Sequence, residues 1–197
     1  MSKINIFCFG FGQVAEGFIN KLIQEKKDFD LSITSRQETH QIELNNFKIT
    51  SYHFTDDKFD SSIDKKLKEA NYILISIPPI EGKDIVAKYF DKNLQGITNC
   101  KWITYLSATS VYGDHKGEWV NENSTTKPTS PNGSSRLAAE NTWKKLSIKN
   151  KYPLQIFRLA GIYSKEFNIL KRLQTGKLQV VDKKNHFFSR IHVKDIA

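Results

Sequence analysis

The 197-residue chain is poor in several residue types, and each shortage removes a class of protein. It has 2 cysteines, Cys8 and Cys100, far apart and without a paired or metal-ligand spacing. That excludes a disulfide scaffold and a cysteine-based zinc module. No apolar run approaches the roughly 20 residues of a membrane-spanning helix, and the first residues lack the apolar core of a signal peptide. The compartment expected from these features is the cytoplasm, with no membrane partner. Arginine is also scarce, with 5 residues against 25 lysines. The net charge is +9, but the basic residues are spread along the chain with no arginine-rich run. Nucleic-acid binding is therefore not expected, and most lysines belong on solvated faces. The milder consequence of the charge is attraction of anionic cofactors and substrates.

What is present is a globular composition, 39% hydrophobic and 12% aromatic. A chain of this length supports one sizeable core, burying roughly 70% of its unfolded surface. The stretch that organises it lies at the N-terminus. Ile4, Ile6, Phe7, Cys8 and Phe9 form an apolar run suited to a strand covered on both faces. Gly10 and Gly12 follow, and then Val14, Phe18 and Leu22 recur every fourth residue, as do Ala15, Ile19 and Ile23. Strand, glycine turn and helix match the spacing G-x-G-x-x-G/A through Gly10, Gly12 and Ala15. Gly10 permits the sharp turn, Gly12 lets backbone approach a pyrophosphate, and Ala15 allows close packing of helix on strand. The helix N–H groups, including those of Gln13 and Val14, would then hold the anion.

Further along, Leu31–Thr34 reads as a second strand ending at Ser35 and Arg36. An acidic residue at this tip serves NAD, whereas arginine suits the 2′-phosphate of NADP. The expectation is NADP, with NAD as the alternative and Glu38 as the nearest acid. Residues 48–54 fit a third strand, 60–69 a helix, and 71–77 another strand stopped by Pro78 and Pro79. Its end, including Ile77 and Pro78, would border the cofactor. Residues 83–94 fit a helix and 102–106 a fifth strand. Residues 121–135 read as a long functional loop. Strands alternating with helices predict a doubly wound parallel α/β sheet, a Rossmann fold. No linker, repeat or metal-ligand cluster interrupts it. Trp119 and Trp143 read as packing residues.

The motifs of the second half resemble a known family. Residues 105–114 (YLSATSVYGD) are similar to the serine-rich strand end of extended short-chain dehydrogenases/reductases. Residues 130–140 (SPNGSSRLAAE) resemble their active-site helix, 157–163 (FRLAGIY) their sixth strand, and 190–197 (RIHVKDIA) a segment near the substrate lobe. The resemblance covers essentially the whole chain and is nearest to the NAD-dependent epimerase/dehydratase group. It implies an oxidoreductase or epimerase-like activity on a small polar metabolite such as a nucleotide sugar, with the nicotinamide facing residues 107–109. It also implies a substrate lobe beginning near residue 162, and a homo-oligomer is compatible with it. Family members carry substantially more chain. Asp195 reads as the N-cap of a further helix, yet only two residues follow, so the chain reads as a fragment, a split gene product or a shortened member.

One departure bears on chemistry. The family's Tyr-x-x-x-Lys aligns with Asn132 and Arg136. A tyrosine can pass a proton to a substrate oxygen; an asparagine amide cannot, and arginine stays protonated. The family's carbonyl-polarising serine aligns with Ala108. The candidate catalytic residues are therefore Ser107, Thr109, Asn132 and Arg136, with Tyr112 and His115 as titratable substitutes. Arg136 could instead hold an oxyanion. Arg158 reads as a structural anchor, and His192 as a structural residue or a border of the substrate site. The loss of the tyrosine equally permits a catalytically silent NADP-binding sensor or scaffold.

Overall fold

The computed structural model describes residues 3–93, 97–177 and 187–197. Nine strands and six helices lie among them: β1 (Ile4–Phe9), α1 (Gln13–Gln24), β2 (Phe29–Ser35), β3 (His40–Leu44), β4 (Phe47–His53), α2 (Ser62–Glu69), β5 (Tyr72–Ile75), α3 (Ile85–Asn93), β6 (Trp102–Ala108), α4 (Pro131–Asn150), β7 (Leu154–Leu159), β8 (Gly161–Tyr163), α5 (Ile169–Gln174), β9 (Arg190–His192) and α6 (Val193–Ile196). Seven strands form one sheet in the order β3-β4-β2-β1-β5-β6-β7. All neighbours in it pair in parallel except the edge pair β3 and β4. This is a doubly wound α/β Rossmann fold, as the sequence predicts.

The N-terminal strand sits at the centre, and its side chains divide between two cores. Phe7 and Phe9 point into one, built with Ile63 and Leu67 of α2, Val86 and Phe90 of α3, and Trp143 of α4. Ile6 and Cys8 point into the other, with Val14, Ala15 and Ile19 of α1 and Val193 and Ile196 of α6. Period-two alternation sends neighbouring residues to opposite faces, so a strand covered on both sides must be apolar throughout. Phe90 and Trp143 meet edge to face with ring centroids 5.0 Å apart, locking α3 to α4.

Several boundaries differ from the sequence expectations. The connection from β2 to β4 carries no helix; it is a hairpin through β3, turned by Asn45 and Asn46, both at positive φ. Asparagine tolerates that conformation better than other side-chain-bearing residues. The expected loop 121–135 ends early, because Ser130 caps α4 by accepting from Gly133 N at 3.1 Å and Pro131 opens the first turn. The expected strand 157–163 is two strands: β7 leaves the main sheet at Leu159, and β8 pairs with β9 in a separate two-stranded sheet. Asp195 is not an N-cap. His192 takes that place, its Nδ1 accepting from Lys194 N at 3.3 Å, and Asp195 lies inside α6. Trp119 is fully exposed, while Trp143 is buried. Residue 94, the expected end of α3, lies outside the described residues. No described helix is long and apolar enough to cross a membrane.

Candidate functional site

A cleft of about 870 Å³ opens along the carboxyl ends of β2, β1, β5 and β6. That is where an open α/β sheet reverses its winding and where ligands of such sheets sit. Of the residues singled out from the sequence, Gly10, Gly12, Gln13, Val14, Ser35, Arg36, Ile77, Pro78, Ser107 and Arg136 line it. Ala15 lies beneath the cleft, fully buried in the core. Thr109 and Asn132 are not among the lining residues; Asn132 is exposed on the first turn of α4. Tyr112 and His115 are also elsewhere. Tyr112 is buried under the Arg158 guanidinium, 4.8 Å from its ring, and His115 Nε2 meets Thr125 O at 3.1 Å.

The glycine turn is built tightly on one side and left open on the other. Gly10 has φ +80°, its N–H donates to Thr34 Oγ1 at 2.9 Å, and Ser76 Oγ donates to Phe9 O at 3.1 Å. A Cβ on Gly10 would meet Ser76 Oγ at 2.9 Å. Gly12 has extended backbone at the head of α1, and a Cβ there would meet nothing within 4 Å. No side chain caps the first turn of that helix. Beside it, Gln13 Oε1 is buried without a hydrogen-bond partner among the described residues. Open space, free helix N–H groups and an orphaned acceptor in one place fit an anionic ligand that also carries hydroxyls.

The charge of the cleft has the matching sign. Arg36, Lys83 and Arg136 line it against a single carboxylate, Asp56, which is itself paired with Lys88 at 2.7 Å. Arg36 is exposed and makes no ion pair among the described residues. Glu38, the acid nearest to the β2 tip, is paired with Lys58 at 2.9 Å, and that ammonium holds its carboxyl below the usual range. Arg136 donates through Nη1 to Leu106 O.

Below the inner end of the cleft, the motif residues assemble a buried polar group that spacing alone did not indicate. Glu140 of α4 is fully buried and takes hydrogen bonds from Ser107 Oγ at 2.6 Å and from Arg158 Nη2 at 2.8 Å. The carboxylate and the adjacent Tyr112 hold the guanidinium of Arg158 even more firmly protonated than usual. Arg158 is thus a structural anchor. The signal for Glu140 was an acid closing the Leu-Ala-Ala run of α4, where an isolated charge must find a buried partner. Asp84 at the head of α3 is a second such group: it accepts from Val86 N, Ala87 N and Trp143 Nε1, and burial raises its pKa. The described residues include no cluster of three or more potential metal ligands.

Fold and cleft together define a doubly wound α/β domain with an open cleft at its topological switch point. Comparison with solved structures places the chain beside a functionally unknown conserved protein from Silicibacter pomeroyi DSS, 28% identical with a TM-score of 0.77, covering 97% of this chain and 64% of that one. It is also similar to UDP-N-acetylglucosamine 4-epimerase from Bacillus cereus (17% identity, TM-score 0.70, 98% of this chain and 70% of that). A third is UDP-glucuronic acid 4-epimerase from Bacillus cereus in complex with UDP-glucuronic acid and NAD (14%, TM-score 0.73, 96% and 69%). At these identities the epimerases share the fold. The chain spans 64% of the length of the first and about 70% of the epimerase from the same comparison. No family model and no curated protein matches the sequence.

Proposed function

We propose that the cleft binds a nicotinamide dinucleotide, NADP in preference to NAD, and that the chain is an oxidoreductase or epimerase-like protein acting on a small polar metabolite of the nucleotide-sugar type. The observation that carries this reading is the empty space at Gly12 above an uncapped helix end. The pyrophosphate would lie over Gly10, Gly12, Gln13 and Val14, with Ala15 letting α1 pack close beneath. The adenosine ribose would reach Ser35 and Arg36, and the nicotinamide would pass Ile77 and Pro78 towards Ser107. The sheet order supports this span: β2 and β6 are three strand steps apart, about 14 Å at about 4.8 Å per step.

The preference for NADP rests on the β2 tip. Arg36 has no described carboxylate partner, and Glu38 is held by Lys58 away from the role of a ribose acceptor. The epimerase neighbour was solved with NAD, so the tip residues of this chain carry the distinction. When bound, the nicotinamide supplies hydride acceptance and return. The chain's own part is to bind, orient and charge the site, with Arg136 placed for an oxyanion. Residues 162–197 would begin the substrate lobe.

A second reading, a catalytically silent NADP-binding sensor or scaffold, is favoured by Asn132: it stands where the family's tyrosine would, is exposed, and does not line the cleft. Titration of the chain and of Arg36→Ala with NADPH and NADH tests the common core of both readings. Saturable NADPH binding, weakened about tenfold or more by Arg36→Ala while NADH binding stays unchanged, is the expected result. Equal affinities for the two cofactors would remove the NADP preference. Turnover gained by Asn132→Tyr with Arg136→Lys would separate a silent site from an active one.

A further inference from the structure

Ser107 lines the inner end of the cleft although only 3% of it is exposed. Its hydroxyl donates to Glu140 Oε1 at 2.6 Å. Both carboxylate oxygens of Glu140 are gripped by Arg158, from Nε at 3.0 and 3.2 Å and from Nη2 at 2.8 Å. Lys144 Nζ adds a longer contact at 3.9 Å. A carboxylate held this way is an acceptor only, so the serine must be the donor. A serine hydroxyl has one hydrogen and two lone pairs. With the hydrogen committed to Glu140, lone pairs are all that Ser107 can present to the cleft.

We infer that Ser107 works in the cleft as a hydrogen-bond acceptor, fixed in that state by Glu140 and Arg158, and that the inner end of the cleft selects a ligand group bearing an N–H or O–H donor. The inference rests on the dinucleotide reading of the cleft and narrows it. Polarising a carbonyl requires a donated hydrogen, which Ser107 does not have to give. Glu140 and Arg158 act through the serine and are positioning residues. The donor can come from two sources: the carboxamide amine of the nicotinamide, or a hydroxyl of the substrate lying beside it. Arg136 donates to the carbonyl of Leu106, the peptide group that leads into Ser107, so a cation stands next to the acceptor. A hydroxylated anion satisfies both.

Calorimetric titration of the whole chain separates the sources. One arm compares NADPH with its reduced 3-acetylpyridine analogue, in which a methyl ketone replaces the carboxamide and no N–H remains. The other compares lactate with pyruvate, a hydroxyl against a carbonyl on the same carboxylate. The donor-bearing member should bind about fivefold to tenfold more tightly in at least one arm, as one net hydrogen bond provides. Ser107→Ala should erase that preference, and Glu140→Gln, which frees the serine hydrogen, should erase or reverse it. If Glu140→Gln fails to fold by thermal melt, Ser107→Ala decides alone, because it leaves the Glu140–Arg158 pair intact. No preference in either arm, or one that survives Ser107→Ala, overturns the inference. NADPH binding without preference would leave the dinucleotide reading standing; a lactate preference without NADPH binding would do the reverse.

Discussion

Gly10 and Gly12 stand two residues apart and are glycine for opposite reasons. A Cβ on Gly10 would strike Ser76 Oγ at 2.9 Å and Ile77 Cγ1 at 3.0 Å, and its φ of +80° disfavours any side chain. A Cβ on Gly12 would project into open cleft. The first glycine serves the fold, and the second leaves the cleft open at the head of α1. Gly10→Ala should therefore cost about 2 kcal/mol of stability from backbone strain and contact. Urea unfolding measures it, and a stability equal to that of the parent would contradict the tight turn.

The Glu140–Arg158 pair predicts a second loss. Removing the guanidinium by Arg158→Leu strands a fully buried carboxylate together with its serine. Breaking such a pair from one side costs about 3–5 kcal/mol. The same unfolding measurement at pH 7 should show it. A change below about 1 kcal/mol would mean that the carboxylate finds water or another partner.

Asp84 gives a pH dependence of a particular sign. Its folded pKa is raised, chiefly by burial, above the ordinary value of 3.8. Its contribution to stability is thus fully present below that ordinary value and is lost as pH rises through the raised folded one. Stability of the parent relative to Asp84→Asn should fall as pH is taken from about 3 to 7. A relative stability that rises over this range would contradict the burial argument.

The two thiols should be slow to react. Burial pushes Cys8 up to about 12 and Cys100 up to about 11. At pH 8 both are overwhelmingly protonated and therefore weakly nucleophilic. Alkylation of the native protein should modify Cys100, which is partly exposed, before Cys8, and Cys8 only on unfolding. Rapid labelling of Cys8 in the folded protein would show that the central strand opens.

Much of this architecture was legible because its signals are local. A strand apolar at every position, from Ile6 to Phe9, requires cover on both faces, and two glycines with a four-residue periodicity behind them specify the turn and helix. The sequence reading assigns no element to residues 37–47; His40–Leu44 alternates and Asn45-Asn46 is a turn pair, but so short an alternation becomes a strand only through its pairing with β4. The break at Ala160 could not be read from FRLAGIY, since a strand leaving one sheet for another keeps the same composition. In the cleft, spacing located Gly12 and the family resemblance pointed to Arg136, but neither could say that Asn132 does not line it. The partnership of Glu140 with Ser107 joins residues 33 apart in sequence and exists only once α4 lies on β6.

The measurement that bears most directly on the account is NADPH titration of the parent and of Gly12→Ala, with thermal melts of both. Alanine fits the empty space and the extended backbone at Gly12, so the melting temperature should stay the same. Its methyl would stand where the pyrophosphate must approach, so NADPH affinity should fall at least about tenfold. Saturable binding in the parent and its loss in an equally stable variant is the predicted result. No binding by the folded parent, or equal binding by both proteins, would contradict the assignment of the cleft to a dinucleotide.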